Sequence, residues 1–526
     1  MYRRNLLASA LAGALAAPRP TRAQTKRVLR FVPQADLALT DPVQTTGLVT
    51  RNHGMLVFDT LYGVDLDQVA RPQMAEGHAV EEDGRLWRIR LRDGLRFHDG
   101  APVLARDCVA SLQRWGKRDN FGLALMAATE SVTAPDDRTI VFRLTRPFPM
   151  LPDALAKIGP NLMAVMPERL ARLDPMAPVP EVIGSGPYRF INSERVPGAL
   201  VVYERFAEYA PRTEGVSSLT AGPRLAHFDR VEWRTMPDAA TAAAALQSGE
   251  VDWWEQPLPD LLPMLRRNRA IKVEILDTAG QLCMLKPNHL HPPFNNPAIR
   301  RALLGAFVQA DFMQAVAGSD HTLWKDGAGF FTPGSPMASD AGLDLLPKTA
   351  DFDKVRRDLA AAGYRGERVV LLVPTDLPHL NAMSELAADV MRRVGMNVDY
   401  QALDWGTVLQ RLASQEPLDR GGWSAFANTT AGVGAANPAA HNHLRGSGRS
   451  ATFGWFDSPR IEELRAAWFD APDLQAQQRI CRDIQAQAFH DVPFWPLGAY
   501  YQPTAYRADL AGMMPGAPLF TGLHRG

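Results

Sequence analysis

Apolar positions alternate with polar ones from Trp87 through Ile89 and Leu91 to Leu95 and Phe97, the period of a half-buried strand. Asp-Gly pairs at 83–84, 93–94 and 99–100 punctuate the run, and alternation interrupted by Asp-Gly predicts β-hairpins. The period then changes: Leu104, Cys108, Val109, Leu112 and Trp115 share one face of a 3.6-residue helix. Apolar runs at Val28–Val32 and Thr139–Leu144 predict two further strands, and the segment 33–42, with two aspartates and no helical period, reads as a loop leaving the first of them.

From about 276 to 495 the rhythm is different. Asn296 and Pro297 supply a cap and first turn for a helix expected to run to Gly318. A helix from Asp353 stops near Gly363, a strand at 369–373 follows, a helix from about Asn381 stops at Gly395, and 398–403 reads as a strand. Strand, helix, strand with glycine stops predicts parallel pairing and an α/β lobe. After about Pro496 the chain is too short for a domain yet has strand-like Tyr500 and Tyr501. It is expected to return to the first lobe, giving at least two crossings between lobes, which suits a hinge. There is no internal repeat of 20–50 residues and no low-complexity tract.

The first 23 residues run basic (Arg3, Arg4), apolar (residues 6–17), then small (Thr21-Arg22-Ala23), the order of a cleavable export signal. Arg3-Arg4 fits twin-arginine export and a plain Sec signal about equally. The apolar run is 12 residues, well short of the roughly 20 a spanning helix needs. Four of the 57 basic residues lie in this leader, leaving 53 against 57 acidic ones. That near balance offers no footprint for nucleic acid or an anionic membrane. Cys108, Cys283 and Cys481 are far apart and odd in number, so at most one pair bridges and a disulfide framework is excluded.

Catalytic signatures are missing. There is no Walker loop, no His-Glu-x-x-His pair and no Cys-x-x-Cys. Gly184-Ser185-Gly186 lacks the spacing of a nucleophile elbow, and His441-Asn442-His443 has no flanking ligand cluster. Gly432-Val433-Gly434 lacks the third glycine of a dinucleotide fingerprint and reads as a surface or cleft-edge loop. No metal or cofactor is expected. What stands out is aromatic residues beside polar turns: Trp253-Trp254-Glu255, Trp405 after Asp404, and Trp423 followed by Phe426 and Asn428. Rigid aromatics with a few polar groups suit a concave ligand site, although core packing is the better account of any single tryptophan. The candidate ligand-binding residues are Gln34, Trp254, Glu255, Trp405, Trp423, Phe426 and Asn428.

Six stretches carry a family resemblance: 58–65 (FDTLYGVD), 71–76 (RPQMAE), 87–100 (WRIRLRDGLRFHDG) with Asp107, 182–190 (VIGSGPYRF), 293–303 (PFNNPAIRRAL) and 492–498 (VPFWPLG). On these the chain resembles the family 5 extracellular solute-binding proteins of ABC importers, the group that includes dipeptide, oligopeptide, glutathione and nickel binders. The resemblance implies a two-lobed periplasmic-binding-protein fold of type II, α/β, with a hinge. It places lobe I at 24–275 plus 497–526, an inserted subdomain near 76–185, and lobe II at 276–496. It implies a periplasmic monomer that closes on a small peptide-like or other organic solute and docks on a two-subunit permease driven by cytoplasmic ATPases. An exported hydrolase or a ligand-sensing receptor on the same lobes is the alternative. Peptide binders of the family commonly carry Trp-x-x-Asp, whose aspartate pairs with the peptide ammonium; here Trp423-Ser424-Ala425-Phe426 puts an aromatic in its place. A free peptide N-terminus then needs another acid, such as Glu255 or Asp404.

Overall fold

In a computed structural model, residues 27–45, 47–159 and 161–526 are described; the export leader expected at 1–23 lies outside them. Two large sheets organise the chain. The first has seven strands, in the order Ile271–Glu274, Thr504–Arg507, Trp253–Trp254, Val28–Val32, Arg230–Arg234, Leu200–Arg205 and Tyr188–Phe190. Its centre is parallel: Phe31 stands beside Trp233 on one side and Trp253 on the other. The three rings and Phe520 pack together with centroids 4.8–5.6 Å apart, so one pleat face is an aromatic core. The other face, with Val32 and Trp254, packs on Ala242 and Leu246 of the helix Ala239–Ser248.

The second sheet has six strands, in the order Trp324–Lys325, Trp495–Tyr500, Gln281–Pro287, Ala425–Ala431, Arg368–Pro374 and Asn397–Leu403. The predicted parallel pair is present, Arg368–Pro374 against Asn397–Leu403, linked by the helix Pro378–Arg393. A third, antiparallel sheet of four strands (Ala75–Glu81, Leu86–Leu91, Thr139–Leu144, Thr129–Thr133) lies within the region expected as an inserted subdomain. Asp83-Gly84 makes its hairpin turn, whereas Asp99-Gly100 closes only a short turn, Gly100 N donating to Phe97 O at 2.9 Å.

Two expectations are corrected. The helix begun by Asn296 and Pro297 ends at Leu304, and a second runs Gln309–Ala317. Between them the chain turns inward so that Phe307 is buried against Phe312 and Trp495. The return to the first lobe does not begin at 497. Trp495–Tyr500 pairs with Gln281–Pro287 in the second sheet, and the chain re-enters the first sheet at Thr504. The two sheets are thus joined by residues 275–280 and 501–503.

The family stretches hold this frame together. His98 N donates to Gly184 O at 2.9 Å, His98 Nε2 sits 3.0 Å from Gly186 O, and a Cβ at Gly184 would meet Val57 O at 2.0 Å. Asp107 accepts from Leu104 N and Glu168 N. Asp59 accepts from Arg224 Nη1 at 2.8 Å and from the Tyr209 hydroxyl at 3.0 Å. Cys108, Cys283 and Cys481 are all buried and unpaired, and burial pushes their thiols up.

Candidate ligand-binding site

A cavity of 350 Å³ lies between the two sheets, walled by Arg118, Asp119, Asn120, Lys157 and Asn161 from the first lobe and by Gln281, Trp405, Phe426, Asn428, Thr430 and His443 from the second. Leu48 and Gln281 also border a smaller hollow of 60 Å³ at the crossings, lined by Arg51, Glu255, Asp277 and Gly280. Beyond the cavity the lobes touch again. Arg445 Nη1 donates to Asn120 Oδ1 at 2.7 Å, Phe469 packs on Phe121 and Phe148, and Arg146 pairs with Asp470. The lobes therefore meet on both sides of the cavity.

Local structure explains how each wall residue gets there. Phe426, Asn428 and Thr430 occupy alternate positions of Ala425–Ala431, so the pleat turns all three to one face. Trp405 opens the helix Trp405–Leu412, which Asp404 caps by accepting from Thr407 N at 3.0 Å. Asp119 caps Asn120–Ala127 through Phe121 N and Gly122 N at 2.9 and 3.0 Å, and its second oxygen takes the Lys157 ammonium.

Of the seven residues expected to bind ligand, Trp405, Phe426 and Asn428 line the cavity and Glu255 lines the hinge hollow. Gln34 stands beside it: its N–H donates to Glu255 at 2.8 Å and its side-chain oxygen accepts from Gln256 Nε2. Trp254 and Trp423 are core residues. Trp254 belongs to the apolar face of the first sheet, and Trp423 backs Phe426 edge-on at 5.2 Å with Trp455 behind it. The first-lobe wall, Arg118 to Asn120, Lys157 and Asn161, was not anticipated, nor was His443; the polar turn between Trp115 and Phe121 was the one signal that could have found Arg118 to Asn120. Gly434 borders the cavity, in keeping with a cleft-edge loop.

The electrostatics are lopsided. Among the described residues Asp119 is the only acid on the cavity wall, and both its oxygens are used. Glu255 is buried, accepts from Asn52 Nδ2 at 3.0 Å and from Gln34 N, and faces Arg51. Burial raises its pKa and lowers that of Arg51, with the opposite charges pulling the other way. Asp404 is spent on its helix cap. Lys286, 1% exposed and held down to about 7 by burial, is hydrogen-bonded to His443, Nζ to Nδ1 3.1 Å. Among the described residues no His, Cys, Asp and Glu cluster suited to a metal occurs, and no helix is long and apolar enough to cross a membrane.

A family model described as bacterial extracellular solute-binding proteins, family 5 Middle, matches residues 69–444. A probable peptide ABC transporter periplasmic-binding protein of Sinorhizobium fredii is 34% identical over 521 residues, covering 98% of this chain and 97% of that one. A glutathione-binding protein of Pectobacterium atrosepticum is 24% identical over 471 residues, 86% of this chain and 85% of that one. Among solved structures, a periplasmic binding protein of A. tumefaciens in complex with agropinic acid superposes with TM-score 0.78 at 18% identity, and a Helicobacter pylori ABC-transporter-associated binding protein in complex with a peptide does so at 0.78 and 19%. Each covers 95% of this chain and 98% of the other, so the two-lobed fold is shared along its length.

Proposed function

The chain belongs to the bacterial extracellular solute-binding proteins of family 5, and on that footing we propose that it is the periplasmic solute-binding component of an ABC importer for a peptide-like or other small organic solute without a free α-ammonium. The observation that carries the reading is the 350 Å³ cavity walled by both lobes, lined by Phe426 at the position where the family resemblance would put an ammonium partner, and with its one acid among the described residues already paired. A buried ammonium left without a carboxylate costs several kcal/mol. A solute touching both walls binds the closed arrangement best, so binding shifts the population toward it. The closed monomer then docks on an inner-membrane permease with cytoplasmic ATPases. The leader at 1–23 would carry it out by the Sec or the twin-arginine route.

Trp405, Phe426 and Asn428 form the second-lobe contacts in this reading, with Glu255 and Gln34 fixing the hinge end. Thermal-shift screening against dipeptides, N-blocked peptides, glutathione, opines and sugars tests it. A solute at 100 times its dissociation constant stabilises by about 2.7 kcal/mol. Blocked peptides or opines are expected to outrank free dipeptides, and no shift anywhere in the panel refutes the reading. Recovery of the bound solute chemically unchanged after long incubation separates binding from hydrolysis.

A further inference from the structure

Lys286 is placed where a lysine is hard to keep charged. In the antiparallel pairing of Gln281–Pro287 with Ala425–Ala431 it stands directly opposite Phe426, so the two side chains share a face of the sheet. Its Nζ is hydrogen-bonded to His443 Nδ1 at 3.1 Å, and no carboxylate among the described residues pairs with it. The stem is packed from above, since a Cβ at Gly454 would come within 2.8 Å of Lys286 Cε. The titratable groups that feel its charge are all bases. His443 and His441 come from the loop over the strand and His289 from just past its end, and each feels the lysine's charge. Arg300 and Arg465 act in turn on those histidines. The acids nearby are taken: Glu462 pairs with Arg465, and Asp491 accepts from Ser458 and Gln487. Burial alone holds the lysine near 7.

The pair opens onto the cavity. A charged Lys286 can only donate, so Nδ1 of His443 then accepts and the ring proton sits on Nε2. That nitrogen has no hydrogen-bond partner among the described residues, and His443 lines the cavity wall. The opposite wall carries Arg118, which donates to Gln44 O, and Lys157, which pairs with Asp119, the one acid there among the described residues. A carboxylate entering here meets a donor backed by a latent cation; an ammonium meets neither.

We propose that this floor is an anion site, in which His443 Nε2 donates to a carboxylate of the solute while Lys286, behind it, takes up one proton from solvent and becomes the counter-charge. No covalent bond to the solute forms; the lysine amine plus a proton becomes the ammonium as the carboxylate arrives. The proposal rests on the solute-binding reading above and narrows the solute to organic acids lacking a free ammonium, N-acylated amino acids and peptides being the simplest.

The test is calorimetric titration of the full chain with N-acetyl-dialanine, which has a carboxylate and no ammonium, and with dialanine amide, which has the reverse, at pH 6 and pH 8 in buffers of different ionisation enthalpy. The acetyl compound is expected to bind at least tenfold more tightly. Close to one proton should be taken up at pH 8 and almost none at pH 6, with affinity falling by up to roughly tenfold per pH unit above 7. Lys286→Met, which removes a buried charge and keeps the stem, should fold, lose the proton uptake and lose the preference. The wild-type proton count needs no variant. Equal or tighter binding of the amide, binding of the acetyl compound without proton uptake, or no heat from either overturns the anion site. A solute found by the wider screen that has no acidic group overturns it too, while leaving the solute-binding reading intact; failure of the whole screen overturns both.

Discussion

Gly280→Ala is the substitution that bears most directly on lobe closure. Gly280 ends one crossing, with φ +63°, and a Cβ there would lie 2.6 Å from Tyr500 O and 2.7 Å from Tyr501 Cδ1, on the other crossing. A left-handed conformation costs a non-glycine residue about 1–2 kcal/mol, and forcing an extra methyl into a packed site costs about 1–3 kcal/mol more. Gly363, with φ +94° and nothing within 4 Å of its would-be Cβ, isolates the first cost. Gly363→Ala is therefore expected to lose about 1–2 kcal/mol in urea unfolding, and Gly280→Ala about 2 kcal/mol beyond that. The extra strain falls between the two crossings, beside the Gln281–Tyr500 pair, so it acts on the hinge and is expected to disfavour the closed arrangement. A bias of about 2 kcal/mol toward opening weakens apparent solute affinity about thirtyfold and enlarges the scattering radius of the solute-free protein. Unfolding energies for the two variants within about 0.5 kcal/mol of each other, a bound set by typical surface substitutions, with superposable scattering curves, would refute this.

Three further outcomes are expected. Arg114 and Asp41 are both 0% exposed at the side chain and meet at 2.6 Å, with three backbone carbonyls around the guanidinium; Asp41→Asn strands a buried cation and should cost about 3–5 kcal/mol in urea unfolding, a loss below about 1 kcal/mol contradicting it. His53, His98 and His441 are buried with pKa values lowered by desolvation to about 3, 4 and 3. The unfolded chain then binds more protons below pH 6.5, so stability present above 6.5 is lost as pH falls, by about 2 kcal/mol per histidine at pH 5; equal unfolding energies at pH 7.5 and 5 would show the rings charge freely. Trp405 is only partly buried at the start of its helix, and Trp405→Ala should weaken solute binding by about 2 kcal/mol while moving the melting temperature little; a large loss of stability with unchanged affinity would make it a core residue.

Much of the frame was legible in the sequence. Strands at Val28–Val32 and Thr139–Leu144 and the helix Ala105–Trp115 follow from apolar period alone, and so does the parallel unit after residue 368. Local pattern failed where a long-range contact decides. The helix expected to reach Gly318 breaks so that Phe307 can reach Trp495, and Tyr500 joins the second sheet because its partner is Gln281, more than 200 residues earlier. Trp423 and Trp405 look alike in sequence, yet one is covered by Trp455 and the other faces the cavity.

The sequence by itself determined the family and the two-lobed plan, because the residues that mark the family are those that lock loops to strands at short range of choice: His98 on Gly184 and Gly186, Asp59 on Arg224, Asp107 on two backbone amides. None of those stretches lines the cavity. The site was decided only by the tertiary structure. Its walls come from segments as distant as Arg118 and His443, and each side chain there is set by a register or a loop closure that no local pattern encodes. The absence of an acid at Phe426 could be read in advance; that Lys286 stands opposite it, dry and backed onto His443, exists only once two strands have paired.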